Sequence, residues 1–327
     1  MEAFIVSARK YRPKLFAEVV GQRGVSDTLK NALFSDRLAQ SFLFCGPRGV
    51  GKTTCARILA KAINCHQPAS DREPCNQCAS CKAFDQNASF NIYELDAASH
   101  NSVSDIRELV EQVRIPPQGA KYKVYIIDEV HMLSTSAFNA FLKTLEEPPA
   151  YAVFILATTE KHKINPTILS RCQNYDFNRN MVKDNTAHLA DICEKENIHA
   201  ERSALTLIAQ KADGALRDAL SMFDRLTDHV NASLILSAVL NNLNILDYDY
   251  YFKYTEYIIT QNTPEILLLT DRIYSKGFEA DSLLEGLMEH FRNLLICKDT
   301  QTIELIEADE SLKQLYLQQS ELTPSSF

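Results

Sequence analysis

Over its first 180 residues the chain alternates short apolar runs with helical patterns, and this alternation restricts the fold more than any other feature. Runs rich in β-branched, aromatic or leucine residues predict strands at 41–45, 91–96, 123–128, 152–158 and 173–177. Helical periodicity between them predicts helices at 52–64, 102–114 and 135–146, the last stopped by Pro148 and Pro149. Near-continuous apolar runs are typical of parallel strands covered on both faces. The sequence therefore predicts an open α/β sheet.

Beyond residue 180 the strand signals vanish and helical patterns remain. Residues 181–243 predict a small helical domain broken at Gly214, and residues 244–327 a second helical block with a helix at 281–297. A chain of 327 residues accommodates the three domains 1–180, 181–243 and 244–327.

Composition and charge exclude several classes of protein. At 46% hydrophobic and 23% charged residues the chain is neither disordered nor fibrous. Its net charge of -8 means that any nucleic-acid binding must use a local basic patch. The N-terminus lacks the apolar core of a signal peptide and no run of about 18 apolar residues occurs, so we expect no membrane association and a cytoplasmic location.

The segment that follows the first strand fits the pattern G-x-x-x-x-G-K-[ST] in full. Its glycines allow backbone N–H groups to point at phosphates, Lys52 adds a full positive charge, and the Thr53 hydroxyl can ligate magnesium. A chance glycine-rich turn is the alternative, but it would not place strand, loop and helix in register. The predicted nucleotide-binding residues are Gly46, Pro47, Arg48, Gly49, Val50, Gly51, Lys52, Thr53 and Thr54.

Two acidic residues stand at the end of the buried strand predicted at 123–128. Asp128 is its last residue and Glu129 follows directly. Asp128 is expected to hold magnesium, and Glu129 to orient and activate the attacking water. A solvated strand end is the alternative for either acid alone. Thr158 and Thr159 close the next strand, where a hydroxyl could position that water. Together these residues predict nucleotide hydrolysis rather than binding alone.

Four of the nine cysteines are clustered, as Cys65, Cys75, Cys78 and Cys81 with the spacing C-x9-C-x2-C-x2-C. This spacing favours one structural tetrahedral zinc site within an insert at about 65–82. Two disulfides are the alternative, which a reducing compartment disfavours, and His66 is a possible substitute ligand. The cysteines at 45, 55, 172, 193 and 297 are expected to be buried singly.

These motifs resemble a known family. The chain is similar to the gamma/tau ATPase subunits of bacterial DNA polymerase III clamp loaders, which belong to the AAA+ superfamily. The segments that carry the resemblance are the phosphate loop, the four-cysteine insert and residues 8–13, 19–22, 96–99, 127–133, 142–149, 157–159 and 170–172.

The resemblance implies an AAA+ core, a helical lid and a collar, and a motor that uses ATP, magnesium and zinc. It implies partners as well: the delta and delta prime subunits, the beta sliding clamp and primer-template DNA. By the same resemblance Arg171 is a finger acting in trans on a neighbouring subunit, and Arg217 contacts the γ-phosphate from the lid. Arg12, Pro13, Val19 and Val20 would line the adenine pocket.

The chain departs from this family at two places. The expected DNA-facing helix begins with His100, Asn101 and Ser102 rather than basic residues, which leaves His100, Arg107 and Lys143 as candidate DNA contacts. The collar stops before its expected last helices and no tau-type extension follows, so a truncated chain is expected.

Two other functions are alternatives. Another AAA+ DNA motor, such as a branch-migration helicase, would share the phosphate loop and the acidic pair, but the four-cysteine insert argues against it. A non-hydrolysing assembly subunit would not need Lys52, Thr53, Asp128 and Glu129 together.

Overall fold

The computed structural model describes residues 5–35, 38–229, 233–242, 246–299, 301–306 and 310–323. The chain divides into two compact units, which are described separately. The first comprises Met1–His188 and Ala209–Asp224, and the second comprises Leu189–Ile208 and Arg225–Phe327.

A five-stranded parallel sheet forms the centre of the first unit, with the order β2-β3-β4-β1-β5. Its strands are β1 Ser41–Cys45, β2 Ile92–Asp96, β3 Lys123–Asp128, β4 Ala152–Thr158 and β5 Gln173–Asp176. The predicted sheet is confirmed, and each strand lies within one residue of its predicted bounds. In the register, Cys45 pairs with Thr158 on one side and with Asp176 on the other, which aligns the carboxyl ends of three strands.

The four helices predicted at 52–64, 102–114, 135–146 and 281–297 lie within one residue of those bounds. In the described residues the helices are α1 Ser7–Lys10, α2 Arg23–Phe34, α3 Lys52–Ile63, α4 Ala79–Asp85, α5 Val103–Val113, α6 Thr135–Glu146, α7 Pro166–Leu169, α8 Val182–Glu196, α9 Arg202–Lys211, α10 Leu216–His229, α11 Leu236–Asn242, α12 Tyr248–Ile259, α13 Thr263–Ser275, α14 Ala280–Ile296 and α15 Glu310–Leu322. Short 3-10 turns occupy Phe16–Glu18, Val130–Met132, Lys161–Lys163 and Ile303–Leu305.

Helices cover both faces of the sheet, as the unbroken apolar strands predicted. On one face Phe42, Phe44 and Ile155 pack with Leu29 of α2 and Leu59 of α3. On the other face Leu43, Phe154 and Leu156 pack with Ile106 of α5 and Phe141 of α6. Alternate residues of one strand therefore serve two cores, and this fixes both the register and the edge where the strands end.

In its described residues the second unit is helical apart from loops and a parallel pair of two-residue strands, β6 His199–Ala200 and β7 Ser233–Leu234. The sequence analysis missed this pair, because two residues are too few to show an alternating pattern. Helices α12, α13 and α14 share a core that includes Tyr251, Ile273 and Leu287. Among the described residues, no helix combines the length and apolarity needed to cross a membrane.

Candidate functional site

The phosphate loop lies where β1 ends between β4 and β5, at a point where the strand order reverses. Parallel α/β sheets bind ligands at such switch points. Gly46 has a φ of 152°, and a Cβ on it would lie 2.3 Å from the Phe177 carbonyl oxygen, so a larger residue cannot replace it without a shift of the backbone. Gly51, with a φ of 104°, leads directly into α3.

Lys52 opens α3 and is only 5% exposed. Its Nζ donates hydrogen bonds to the carbonyl oxygens of Gly46 at 2.8 Å and Pro47 at 2.7 Å, so the ammonium lies inside the loop. Burial lowers the pKa of Lys52, and the nearby charges of Glu129 and Asp128 act against that shift. The loop therefore combines a buried cation with a helix N-terminus, an arrangement that suits a polyphosphate.

Thr53 and Asp128 meet directly although 75 positions separate them: the Thr53 Oγ1 donates to the Asp128 Oδ2 at 2.6 Å. The hydroxyl and carboxylate oxygens are the hard donors that magnesium prefers. Thr53 and Asp128 therefore fit a magnesium ion, because both side chains offer oxygen ligands and these oxygens lie close together.

Glu129 directly follows β3 and has a φ of 48°, a left-handed conformation that is uncommon outside glycine. Its Oε2 accepts hydrogen bonds from the Thr159 N–H at 3.2 Å and from the Thr159 Oγ1 at 2.9 Å. This side chain is therefore held by the end of β4. Strained backbone of this kind is concentrated at functional sites.

The two threonines that close β4 have different partners. Thr159 contacts Glu129, whereas the buried Thr158 places its Oγ1 3.0 Å from the His131 Nδ1. His131 Nδ1 also lies 3.4 Å from the Glu129 Oε2. Sequence analysis assigned no role to His131, because only the 3-10 turn Val130–Met132 brings the ring back to the strand ends.

A pocket in the first unit contains most of the predicted nucleotide-binding residues. It is lined by Ala8, Tyr11, Arg12, Pro13, Val19, Val20, Arg48, Gly49, Val50, Gly51, Lys52, Thr53, Thr54, Asp128, Glu129, Asn180, Leu216, Arg217 and Leu220. Sequence analysis missed Ala8, Tyr11, Asn180, Leu216 and Leu220, whose positions depend on folding. Gly46, Pro47, Thr158 and Thr159 were predicted for this site but do not line the pocket, and neither does Arg171, which was predicted for the site of a neighbouring subunit.

Two arginines add positive charge to the pocket. Burial lowers the pKa of Arg12, the charges of Arg57 and Arg217 lower it further, and Glu94 and Asp128 oppose them. The backbone N–H of Arg217 donates to the Gly49 carbonyl at 3.4 Å, which brings the start of α10 against the phosphate loop. A cluster of guanidinium groups is suited to an anionic ligand.

Arg171 is exposed and lies outside the pocket lining. Its guanidinium contacts the Glu146 carboxylate at 3.0 Å and donates to the Thr167 carbonyl at 2.8 Å. The candidate DNA contacts His100, Arg107 and Lys143 are also exposed, at or on α5 and α6. Their role stays a prediction.

The four clustered cysteines converge as their spacing predicted. The Sγ atoms of Cys65, Cys75, Cys78 and Cys81 all lie within 4.8 Å of one another. Backbone N–H groups of Cys75 and Cys78 point at the sulfurs of Cys65 and Cys75, at 3.3 and 3.2 Å. Burial opposes ionisation of Cys78, but N–H donors from Cys81 and His66 outweigh it and lower the pKa to about 6. Four convergent sulfurs with N–H donors fit one tetrahedral zinc.

The fold is shared with known motors. The solved structure of RuvB from Thermotoga maritima, described as a Holliday junction branch migration motor, aligns with a TM-score of 0.54 at 22% identity, covering 85% of this chain and 91% of that one. This likeness shows the fold alone. The parallel sheet, the phosphate loop at its switch point and the acidic pair at the end of β3 define the class as a P-loop protein with the fold of AAA+ ATPases.

Sequence comparisons narrow this class to one family. A model described as "DNA polymerase III, delta subunit" matches residues 21–181, and one for the "DNA polymerase III clamp loader subunit, ATPase lid domain" matches residues 186–226. DNA polymerase III subunit gamma of Buchnera aphidicola (strain Bp) is 36% identical over 92% of this chain and 81% of its own length. The chain belongs to the gamma/tau subunit family of DNA polymerase III.

Two longer relatives in this family are called tau. The tau subunit of Bacillus subtilis is 40% identical over 94% of this chain and 55% of its own length. That of Escherichia coli K12 is 41% identical over 88% of this chain and 44% of its own length. The chain thus spans about half the length of these tau relatives.

Proposed function

We propose that this chain is the ATP-hydrolysing motor subunit of a bacterial clamp loader, acting in the cytoplasm during DNA replication. In this role it opens the beta sliding clamp and loads it onto primer-template DNA, together with the delta and delta prime subunits. The observation that carries the proposal is the convergence of Lys52, the Thr53–Asp128 pair and Glu129 in one pocket of a chain from the gamma/tau family.

The pocket lining supports ATP as the ligand. Its phosphate end is formed by the loop, Lys52 and Arg217. Its remaining lining is largely apolar, with Ala8, Pro13, Val19, Val20, Leu216 and Leu220. An apolar chamber beside a phosphate cradle suits a planar base.

For hydrolysis, Glu129 accepts the proton of the attacking water while Thr159 fixes the position of the carboxylate. Thr158 holds His131 beside the same carboxylate, so β4 supports Glu129 twice. A magnesium ion held by Thr53 and Asp128 would supply positive charge against the phosphates. Lys52 and Arg217 stabilise the charge that develops on the transferred group.

Three predicted roles lie outside the pocket. Arg171 serves as the finger for a neighbouring subunit, which its exposure and its absence from this chain's own pocket support. Arg107 and Lys143, with His100, contact DNA phosphates, and the acidic chain therefore depends on a few residues repeated around an assembly. The four cysteines hold a zinc ion that stabilises the insert.

The test is ATP hydrolysis by the complex reconstituted with delta and delta prime. Adding beta clamp and primed DNA should stimulate it, and Lys52→Ala should lose nucleotide binding and turnover together. The proposed role would be contradicted if clamp and primed DNA did not change the rate of ATP hydrolysis and if ATP did not increase loading of the clamp onto DNA.

A further inference from the structure

Glu73 is a buried acid in the four-cysteine insert, and both oxygens of its carboxylate have hydrogen-bonding or ionic partners. It is 4% exposed, and the described residues give it three donors from elsewhere in the chain. Its Oε2 accepts from the Phe16 N–H at 2.8 Å and its Oε1 from the Ala17 N–H at 3.0 Å. Lys30 of α2 lies 2.6 Å from Oε1 and balances the charge. A buried carboxylate with this set of partners fixes the groups that it binds.

The groups that Glu73 binds begin the segment that leads into the nucleotide pocket. Phe16 and Ala17 start the 3-10 turn Phe16–Glu18, and the Val19 N–H donates to the Phe16 carbonyl at 3.2 Å. Val19 and Val20 line the pocket. Val19 packs against the phosphate loop, since a Cβ on Gly51 would lie 3.7 Å from its Cγ1. We call Val19 and Val20 the apolar wall of the pocket. Its position depends on the 3-10 turn Phe16–Glu18, whose N–H groups Glu73 binds.

The other end of the connection is the cysteine cluster. Only Pro74 separates Glu73 from Cys75, and proline fixes its own φ and restricts the residue before it. The backbone of Glu73 is also tied within the insert, where its carbonyl accepts from the Ala69 N–H at 3.0 Å. A sulfur position fixed in the cluster thus fixes the carboxylate, with little freedom between them.

We propose that Glu73 is a positioning residue that couples the cysteine cluster to the base-binding wall of the nucleotide pocket. Order in the cluster then sets the affinity for the nucleoside part of the ligand and leaves the phosphate cradle unchanged. This inference rests on the proposed nucleotide site, and it assigns to the insert an effect on ligand affinity in addition to stability.

Calorimetric titration of the full chain with ADP and with inorganic tripolyphosphate separates the two halves of the pocket. Glu73→Ala should weaken ADP binding about tenfold, which corresponds to about 1.4 kcal/mol, and leave tripolyphosphate binding unchanged. Glu73→Gln keeps the shape and one acceptor oxygen, so a smaller loss in the same direction is expected. Glu111→Ala is the matched control, because Glu111 also pairs with a basic residue, Arg114, but on the exposed surface at the end of α5.

A second experiment perturbs the cysteine cluster instead of Glu73. Stripping the metal from the wild-type chain with a chelator should weaken ADP binding, while the same treatment of Glu73→Ala should add little, because coupled changes are not additive. Wild-type ADP affinity in both Glu73 variants, an equal loss for tripolyphosphate, or fully additive effects would overturn the coupling. Lys52→Ala distinguishes the two proposals: if it binds both ligands normally, the nucleotide site itself is wrong.

Discussion

Glu129→Gln tests the hydrolytic site because it removes the proton acceptor and preserves the geometry. The glutamine Oε1 can still accept from the Thr159 N–H and hydroxyl, which lie 3.2 and 2.9 Å from the present carboxylate oxygen. What is lost is the general base, whose contribution is about 10²–10⁴ in rate, or about 3–5 kcal/mol of barrier. We therefore expect kcat to fall by that factor while the Kd for ATP stays essentially unchanged.

The assay measures steady-state phosphate release and, separately, ATP binding by calorimetry. Glu111→Gln is the matched control, since that acid is exposed and pairs with Arg114 on the surface of α5, and it should behave like wild type. The interpretation of Glu129 would be refuted if Glu129→Gln turned over normally, or if it lost affinity for ATP in proportion to its loss of rate.

Four further outcomes follow from the structure. Arg171→Ala should spare nucleotide binding by this chain and slow hydrolysis in the reconstituted complex; wild-type rates there would remove its role as a finger. Gly46→Ala should destabilise the first unit by about 1–3 kcal/mol, because its Cβ would lie 2.3 Å from the Phe177 carbonyl oxygen, whereas Gly24→Ala in α2, with nothing within 4 Å, should be neutral or slightly stabilising in denaturant unfolding. Elemental analysis of freshly purified, reduced protein should give one zinc per chain, and its absence would exclude the zinc site. Burial lowers the pKa of His290 from 6.5 to about 4, so at pH 5 the unfolded chain binds a proton that the folded chain does not; unfolding free energy should fall by about 2 kcal/mol between pH 7 and pH 5, and His290→Gln, which cannot titrate, should lose this dependence.

The sheet could be predicted from the sequence because its strands are buried on both faces. Strands β1 and β4 are buried along their full length, so each reads as an unbroken apolar run with clear ends. The two-residue strands β6 and β7 are too short to show such a run in the sequence, and they are recognised only from their pairing in the structure.

In the site, local motifs could be predicted and distant contacts could not. The loop from Gly46 to Thr54 has a fixed spacing, because one turn must present several N–H groups to one phosphate chain. His131 and Asn180 carry no comparable pattern. His131 contacts Thr158 because a 3-10 turn folds its ring back toward the strand ends, and Asn180 lines the pocket from the segment before α8.

The class of chemistry can be predicted from the sequence, since Lys52 and Thr53 complete a phosphate-loop motif, Asp128 and Glu129 stand at the end of a recognisable strand, and four cysteines have metal-binding spacing. The packing of separate segments determines which threonine supports Glu129, and it places Glu73 between the cysteine insert and the segment that carries Val19 and Val20. The physical reason is that a motif reports groups held by one short segment, whereas a hydrogen bond across 57 positions depends on how separate segments pack.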